Sequence, residues 1–425
     1  MVAQYGATGF GAVQAATKPN KPVVPSGTTL AQTASNMINC FVGGGILTVP
    51  FAFRHAGFAA SFVLMLVAAL NWLTSILLGH ALSRAARLRP DISRTQWDLA
   101  ELGAAIFGPM GRRIIAVVLT LELWFMLETY IILTSININL LTGAPMKTLI
   151  AMAGIVGTLT LSLPMSVVAG FSKLSVWCML GGVVSLVVCG GMASQAPNLH
   201  ERRHHMIDVK ALPAAAGIFS YCFAGLPCLP NIRSAMQKQG DYALAVNLAF
   251  AFAITYYLVV GLLGYHYFGD ATKESFTENL VPYKGMPDER MFLAFSLASS
   301  ALFAVKLQAG FPLYAAPVLQ ALGFGTLGEE SRLPTRVVAA RMTFALASVA
   351  FALFARNALS GVAELMGAFL TMTTSVLFPV AAYAGARRAS GEPLGWCEAL
   401  GLGAVFLVGV LLAASDAYRR MTAHH

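Results

Sequence analysis

Long apolar stretches recur along this chain from about residue 30 to residue 414. A bilayer core takes about 20 apolar residues per helix, and each stretch reaches roughly that length. The composition agrees, because 57% of the 425 residues are hydrophobic and 11% are charged, whereas a soluble domain carries about 25% charged residues. The sequence therefore predicts an all-α polytopic membrane protein without room for a separate soluble domain.

Eleven apolar stretches qualify as candidate membrane spans. They cover residues 30–53, 57–81, 114–141, 148–164, 172–191, 212–235, 243–267, 291–311, 335–355, 359–385 and 394–414. Lys and Arg are retained on the cytosolic side of short loops, and the segment 82–113 has the highest density of arginines. We therefore predict a cytosolic N-terminus and a C-terminus on the opposite side.

Spans one and six differ from the others because Gly and Pro lie near their midpoints. Span one contains Gly43, Gly44 and Gly45, and span six contains Pro227 and Pro230. Each glycine weakens a helix by about 1 kcal/mol relative to Ala, and each proline removes a backbone donor. Such helix breaks persist where the freed backbone lines a cavity walled by protein. The alternative is that the glycines are small residues at a helix-packing interface.

The position of these two spans in the chain favours the first interpretation. Interrupted helices at corresponding places in two halves indicate the binding site of a secondary transporter, and spans one and six correspond if the chain holds two five-helix repeats. We predict a transmembrane domain over 30–414, with repeat one over about 30–191, repeat two over about 212–385 and an extra helix at 394–414. The remaining segments are predicted to be tails, at residues 1–29 and 415–425.

A broken helix can bind a zwitterion without charged side chains. The half-helix after the break presents free N–H groups and the positive end of its dipole, which favour a carboxylate, and the preceding half-helix presents carbonyl groups that suit a cation. An α-amino acid fits both ends. The predicted backbone ligands are Gly43, Gly44, Gly45, Ala224 and Gly225.

The motif Asn36-x-x-Asn39-x-x-x-Gly43-Gly-Gly-Ile-Leu-x-x-Pro50 resembles the first-helix signature of the amino acid/auxin permease family. Residues 220–236 are similar to the sixth helix of the vesicular and vacuolar branch of that family, and residues 264–269 and 365–368 resemble its seventh and tenth helices. The resemblance extends over about residues 29–415.

This resemblance implies a LeuT-type fold in which helices 1–5 and 6–10 are inverted repeats and the eleventh is peripheral. It also implies secondary active transport of amino acids coupled to H⁺ or Na⁺, with no other cofactor. Tyr130 matches the aromatic residue of helix three that would close over the substrate. Leu226 replaces the histidine that the family often has after Phe-x-Gly in helix six. With Ile46 and Phe223, Tyr130 gives an apolar lining, which predicts neutral substrates.

Two residues are candidates for ion coupling. One is Lys306 in span eight. In the fold that the resemblance implies, span eight runs beside span one, near the place where sodium-coupled members hold an ion, so the Lys306 ammonium can replace a sodium ion there. Burial disfavours the charged form of an amine, so the same group could take up and release a proton. The alternative is that Lys306 extends to the cytosolic interface. Asn39 is the other candidate, for binding the coupling ion or bracing the backbone.

Ionisable residues inside a membrane are functional candidates because burying them is costly. Besides Lys306, the spans hold Glu122, Glu128 and Glu364. On an ideal helix Glu128 lies about 160° from Tyr130, which favours a structural role against a neighbouring helix. Glu122 lies about 12 Å along the axis from Tyr130, which predicts a position in the vestibule.

Other classes of function find little support in the sequence. No HExxH, GxSxG or Walker A pattern is present, so we do not predict an enzyme, and no basic cluster interleaved with aromatic residues indicates nucleic acid binding. The predicted partners are an amino acid and the lipid bilayer, with no obligate protein partner. Two alternatives remain open: a sodium-coupled transporter, and a transceptor that senses amino acids and signals through a partner. We predict a vacuolar or vesicular membrane, with the plasma membrane as the alternative.

Overall fold

The computed structural model describes residues 27–160, 165–193, 203–282, 288–321 and 335–422, and nearly all of these are helical. Nine helices in this part of the chain are long and apolar enough to cross a membrane. Two of the eleven predicted spans are not counted separately among these nine because their helices are short. Span four is the 15-residue helix Met146–Thr160, and the first half of span one, Leu30–Phe41, has 12 residues. The predicted all-α polytopic architecture is confirmed.

The uninterrupted spans have clear bounds. They are Ala60–Leu88 (span two), Leu99–Thr142 (three), Met146–Thr160 (four), Met165–Ala193 (five), Tyr242–Phe268 (seven), Glu289–Ala321 (eight), Thr335–Ala355 (nine) and Trp396–Thr422 (eleven). Span three begins well before its predicted start because a further helical segment, capped by Asp98, precedes a kink at Gly108. Span eleven remains helical beyond residue 414, so part of the predicted tail 415–425 is helix. Most of the predicted tail 1–29 lies outside the described residues.

Three spans are not uniform α-helices. Span one consists of Leu30–Phe41 and Val49–Ala56, and span six of Leu212–Cys222 and Leu229–Ser234. Span ten is continuous but changes its winding. It starts as Leu359–Leu365, passes through π-helical turns at Met366–Thr371 and Thr373–Leu377, and ends as Phe378–Ala389.

Several spans of the first half of the chain pack against the span that lies five places later. Span one contacts span six, span two contacts span seven, span three contacts span eight, and span four contacts span nine. Four of the first five spans thus contact the span five places later in the chain. Span eight also packs along span five, so spans three, five and eight form a wall beside the interrupted helices.

The interrupted helices lie at the centre of this arrangement. In the most apolar window of Val209–Ser234, which includes span six, 83% of the residues are buried, compared with 6% for Trp396–Tyr418 in span eleven. Span eleven is therefore peripheral. The start of span one is joined to the end of span six by main-chain hydrogen bonds: Thr28 N donates to Ala235 O at 2.8 Å, and Gln237 N donates to Thr28 O at 3.0 Å.

Candidate functional site

The interruption of span one covers residues 42–48, which we call the first break. The α-helix ends where Val42 N donates to Ile38 O at 2.8 Å, and Gly43 then adopts φ −85° and ψ −145°. A short 3₁₀ helix, Gly44–Leu47, follows, and the α-helix resumes at Val49. Thr48 Oγ1 donates to Gly45 O at 2.9 Å. The backbone of the first break therefore has a fixed, non-helical conformation.

Tyr130 of span three lies directly on the glycines of the first break. A Cβ atom at Gly43 would lie 2.7 Å from Tyr130 Oη, and one at Gly44 would lie 3.0 Å from Tyr130 Cε1. Gly310 of span eight borders the opposite edge of the ring, where a Cβ would lie 3.0 Å from Tyr130 Cε2. The Tyr130 ring is also packed edge-on against Tyr314, with 5.5 Å between ring centroids. Glycine is required at these positions because the aromatic ring occupies the space of a side chain.

The interruption of span six covers residues 223–228, which we call the second break. The α-helix ends at Cys222, a 3₁₀ turn spans Leu226–Cys228, and the helix resumes at Leu229. Each break lies against the end of the other span's first half-helix: a Cβ at Gly225 would clash with the carbonyl group of Cys40, and a Cβ at Gly45 would lie 2.9 Å from Cys222 Sγ. The absence of side chains at both breaks lets the two backbones approach each other.

Tyr257 of span seven joins the two breaks, and sequence reasoning missed it. Its Oη lies 2.5 Å from Phe41 O and 2.9 Å from Cys222 O. These carbonyls belong to the last residues of the two first half-helices. A phenol has one proton to donate, so the two carbonyls share a single donor. The sequence signal was weak, a pair of tyrosines, Tyr256 and Tyr257, within an apolar span.

Replacing Tyr257 by phenylalanine tests whether this shared donor matters for transport. Removing the hydroxyl takes the side-chain donor from both carbonyls, of which Phe41 O keeps its bond from Gly43 N at 3.0 Å. A buried acceptor that loses its donor costs about 1–3 kcal/mol in free energy of unfolding. Tyr256→Phe is the matched control, because Tyr256 Oη donates to Met179 O of span five at 2.5 Å, away from the breaks. We expect similar losses of thermal stability in both variants, but reduced substrate uptake per folded molecule in Tyr257→Phe alone. Equal uptake by the two variants would reduce Tyr257 to a structural residue.

Lys306 of span eight donates from Nζ to Val42 O at the first break. Its side chain is only 4% exposed, so the structure does not direct the ammonium to the membrane interface. Tyr314, two turns along the same helix, donates to Cys40 O at 3.4 Å. The carboxyl end of a helix is its negative end and favours a cation. The end of the first half of span one is therefore surrounded by donors from spans seven and eight.

The structure brings most of the predicted substrate residues together. Ile46 and Ala224 are fully buried at the breaks. Phe223 is also fully buried, but its ring stacks on Phe250 at 5.5 Å, on the side facing span seven. Asn39 lies on the first half of span one and is only partly buried. Every residue from 41 to 50 is buried, so water or substrate reaches the first break only after helices move apart.

Among the acidic residues of the spans, Glu122 lies elsewhere than predicted, whereas Glu128 faces a neighbouring helix. Glu122 is fully buried against span ten, so the prediction that it lies in a vestibule is wrong in this structure. Glu128 is also buried and faces Ser348 of span nine, and Glu364 lies buried in the first turns of span ten. Within the described part of the chain no cluster of three or more His, Cys, Asp or Glu side chains is placed to hold a metal ion.

Comparison with known sequences identifies relatives of the chain. The family described as "Transmembrane amino acid transporter protein" matches residues 26–419. Amino acid transporter AVT1E of Arabidopsis thaliana is 26% identical over 373 residues, and AVT1D of the same plant is 25% identical over 374 residues. Each alignment covers 84% of this chain, but 66% and 64% of the respective relative. The chain thus spans slightly less than two thirds of their length.

Comparison with solved structures addresses the fold alone, because the sequence identities are low. The inward-facing conformation of Mhp1 matches with a TM-score of 0.58 and 15% identity, covering 94% of this chain and 92% of that one. A crystal structure of a mutant manganese transporter of Eremococcus coleocola matches with a TM-score of 0.57 and 13% identity, covering 90% and 85%. The predicted LeuT-type fold is confirmed.

Proposed function

This chain belongs to the transmembrane amino acid transporter family, and on that premise we propose that it is a proton-coupled secondary transporter of neutral amino acids. That family consists of transporters and not of enzymes. The observation that carries the proposal is the close approach of two interrupted helices, whose backbones at the breaks are bordered by Tyr130, Tyr257 and Lys306. Transport proceeds by alternating access, in which helices separate around the breaks first on one side of the membrane and then on the other.

The proposed substrate site uses backbone groups for the two charges of an amino acid. The N–H groups at Gly44 and Gly45 precede the second half of span one and bind the carboxylate, as at other helix N-termini. The carbonyls of Phe41 and Cys222, which share the Tyr257 hydroxyl, bind the ammonium group. Ile46 and Tyr130 contribute apolar surface and no fixed charge, which favours neutral side chains.

Proton coupling is proposed to act through Lys306. As an ammonium it donates to Val42 O and occupies the place of a sodium ion at the carboxyl end of a half-helix. As a neutral amine it no longer offsets the negative end of that half-helix, which loosens span eight from span one. Loading and release of the proton would then alternate with opening of the first break. In a sodium-coupled transporter, by contrast, sodium would have to displace this ammonium.

The membrane and the orientation belong to the same proposal. The resemblance of the sixth span to the vesicular and vacuolar branch supports a vacuolar or vesicular membrane, and the arginines of segment 82–113 support a cytosolic N-terminus. A vacuolar or vesicular location supplies a pH gradient across the membrane as a driving force.

Uptake into proteoliposomes tests the proposal. Purified protein is reconstituted and exposed to a pH gradient or a sodium gradient, with a panel of radiolabelled amino acids and unlabelled competitors. We expect accumulation of neutral amino acids driven by the pH gradient without sodium. A charged amino acid that outcompetes every neutral one would refute the substrate assignment. Strict dependence on sodium would refute proton coupling, and absence of any amino acid flux would refute the function.

A further inference from the structure

Glu122 and span ten form a polar cluster that the proposed substrate site does not use. Thr374 Oγ1 donates to Glu122 Oε2 at 2.7 Å, and the hydroxyl of Thr371 lies beside the same carboxyl group. All three side chains are completely buried. Within the described residues, Glu122 Oε1 and Thr371 Oγ1 have no hydrogen-bond partner. Because buried polar atoms are normally paired, the two unpartnered oxygens indicate a missing proton or ligand.

The cluster coincides with the unusual winding of span ten. Thr371 ends the first π-helical segment, and Thr374 lies in the second. π-helical turns are rare, occur mainly as single turns inside α-helices and are frequent at functional sites. The Glu122 carboxyl therefore faces the point where two such turns meet.

The charge on Glu122 has little compensation. An ionised carboxylate in an apolar interior is very costly unless it is paired, and the groups that act on Glu122 are the two threonine hydroxyls. The charged residues of the neighbouring elements are directed elsewhere. Glu128 on the same helix faces Ser348, and Lys306 of span eight donates to the first break. Arg341 of span nine and Glu364 of span ten are not hydrogen-bonded to Glu122, whose Oε2 accepts from Thr374 and whose Oε1 has no partner among the described residues.

We infer that Glu122 is a second proton-binding site, separate from Lys306, and that its protonation changes the hydrogen bonding of span ten. The ligand is a proton and not a metal cation. Thr374 Oγ1 and Glu122 Oε2 are in direct hydrogen-bond contact at 2.7 Å, which leaves no space for an ion between them. One carboxyl and two hydroxyls are also fewer oxygen ligands than the six to eight that a hard cation such as Ca²⁺ takes.

The structure contains hydrogen-bond partners for both the ionised and the protonated form of the Glu122 carboxyl group. In the ionised state Glu122 accepts the hydrogen bond of Thr374. When a proton adds to the carboxylate, the new O–H donates to the unpartnered hydroxyl oxygen of Thr371. The Thr374 hydroxyl is then released to the backbone, where Leu370 O lies at 3.2 Å and Thr371 O at 3.3 Å. The Glu122 carboxylate gains one proton, and no other covalent bond forms or breaks.

This change is positioned to reach the second break. The turn Leu226–Cys228 packs against Thr373–Leu377, which contains Thr374. About two turns earlier in span ten, a Cβ at Gly367 would clash with the carbonyl of Gly217 in the first half of span six. Span ten therefore touches span six both before its break and within it. This consequence for transport rests on the proposed function, whereas proton binding at Glu122 does not.

Infrared difference spectroscopy of the purified protein in lipid tests proton binding directly. We compare neutral and acidic pH in the wild type, Glu122→Gln, Thr374→Val and Glu128→Gln. A protonated-carboxyl band is expected to appear on acidification in the wild type, to vanish in Glu122→Gln, to shift in Thr374→Val and to persist in Glu128→Gln. Glu128→Gln is the matched control because it removes a buried carboxyl of the same helix. A band unchanged in Glu122→Gln and in Thr374→Val overturns the inference, as does a band that sodium removes at constant pH.

The pH profile of uptake tests the consequence for transport. A step that needs one bound proton changes about tenfold per pH unit away from its midpoint. We expect this acid-dependent change to shrink to less than about twofold in Glu122→Gln and to persist in Glu128→Gln. If the wild type shows the band without pH-driven uptake, the proposed function fails and the proton site stands. If uptake is pH-driven but neither the infrared band nor the pH profile of uptake changes in Glu122→Gln, the inference alone fails.

Discussion

Replacing Gly44 by valine is expected to abolish amino acid uptake while the protein still folds. A Cβ at Gly44 would lie 3.0 Å from Tyr130 Cε1 and 3.2 Å from side-chain atoms of Leu133 and Leu307, and valine adds two methyl groups beyond it. Such overpacking costs about 1–3 kcal/mol in free energy of unfolding, which a large helical protein withstands. The Tyr130 ring, however, must leave the first break, and the amides proposed to bind the carboxylate are covered.

The measurement is uptake per folded molecule, with folding checked by size-exclusion chromatography and thermal stability. Gly401→Val provides the matched control, because Gly401 lies in peripheral span eleven, where a Cβ atom would have no neighbouring atom within 4 Å. Gly44→Ala, with a single added methyl group, is expected to be intermediate. Normal uptake by Gly44→Val would contradict the proposed substrate site.

Replacing Lys306 by methionine is expected to separate substrate movement from the pH gradient. Methionine keeps the length and apolar body of the side chain and removes the ammonium that donates to Val42 O. A gradient of one pH unit is equivalent to about 1.4 kcal/mol and supports about tenfold accumulation. The variant is expected to equilibrate its substrate without accumulation and to retain exchange of internal for external substrate.

Lys147→Met is the control for loss of a lysine, because Lys147 is exposed at the start of span four. Accumulation is expected to be unchanged in that variant. A pH dependence that is the same in Lys306→Met and in the wild type would show that the proton acts elsewhere. Asn39 would then remain as the candidate for ion coupling.

The sequence signal for the first break is local. Three glycines and a proline inside an apolar stretch are chemically unusual, and the intrinsic cost of glycine in a helix makes an interruption the simplest interpretation. The position of Tyr130 over these glycines follows from the family resemblance and from its place in span three. The span boundaries were less predictable, because helices such as Leu99–Thr142 continue through polar residues outside the hydrocarbon core.

Contacts that depend on backbone atoms or on altered winding were not predictable. The two acceptors of Tyr257 are main-chain carbonyls, which carry no sequence signature. Glu122 and Thr374 are 252 residues apart in the chain. The π-helical turns also change the angular position of Thr374, so a helical-wheel projection at 100° per residue does not give its direction. The direction of Lys306 depended on how span eight lies against span one, which the pattern of apolar residues leaves open.

The single hydroxyl proton of Tyr257 has a consequence for the hydrogen bonding of the two first half-helices. It can be donated to Phe41 O or to Cys222 O, but not to both at once. When it is donated to Phe41 O, at the shorter distance of 2.5 Å, the carbonyl of Cys222 loses the donor that Tyr257 supplies. A buried acceptor without its hydrogen bond costs about 1–3 kcal/mol. Phe41 O also accepts from Gly43 N at 3.0 Å, so it keeps a partner when the hydroxyl turns to Cys222 O. Under the proposed function, an ammonium group, with its three donors, can hydrogen-bond to both carbonyls at once, whereas the phenol serves one at a time.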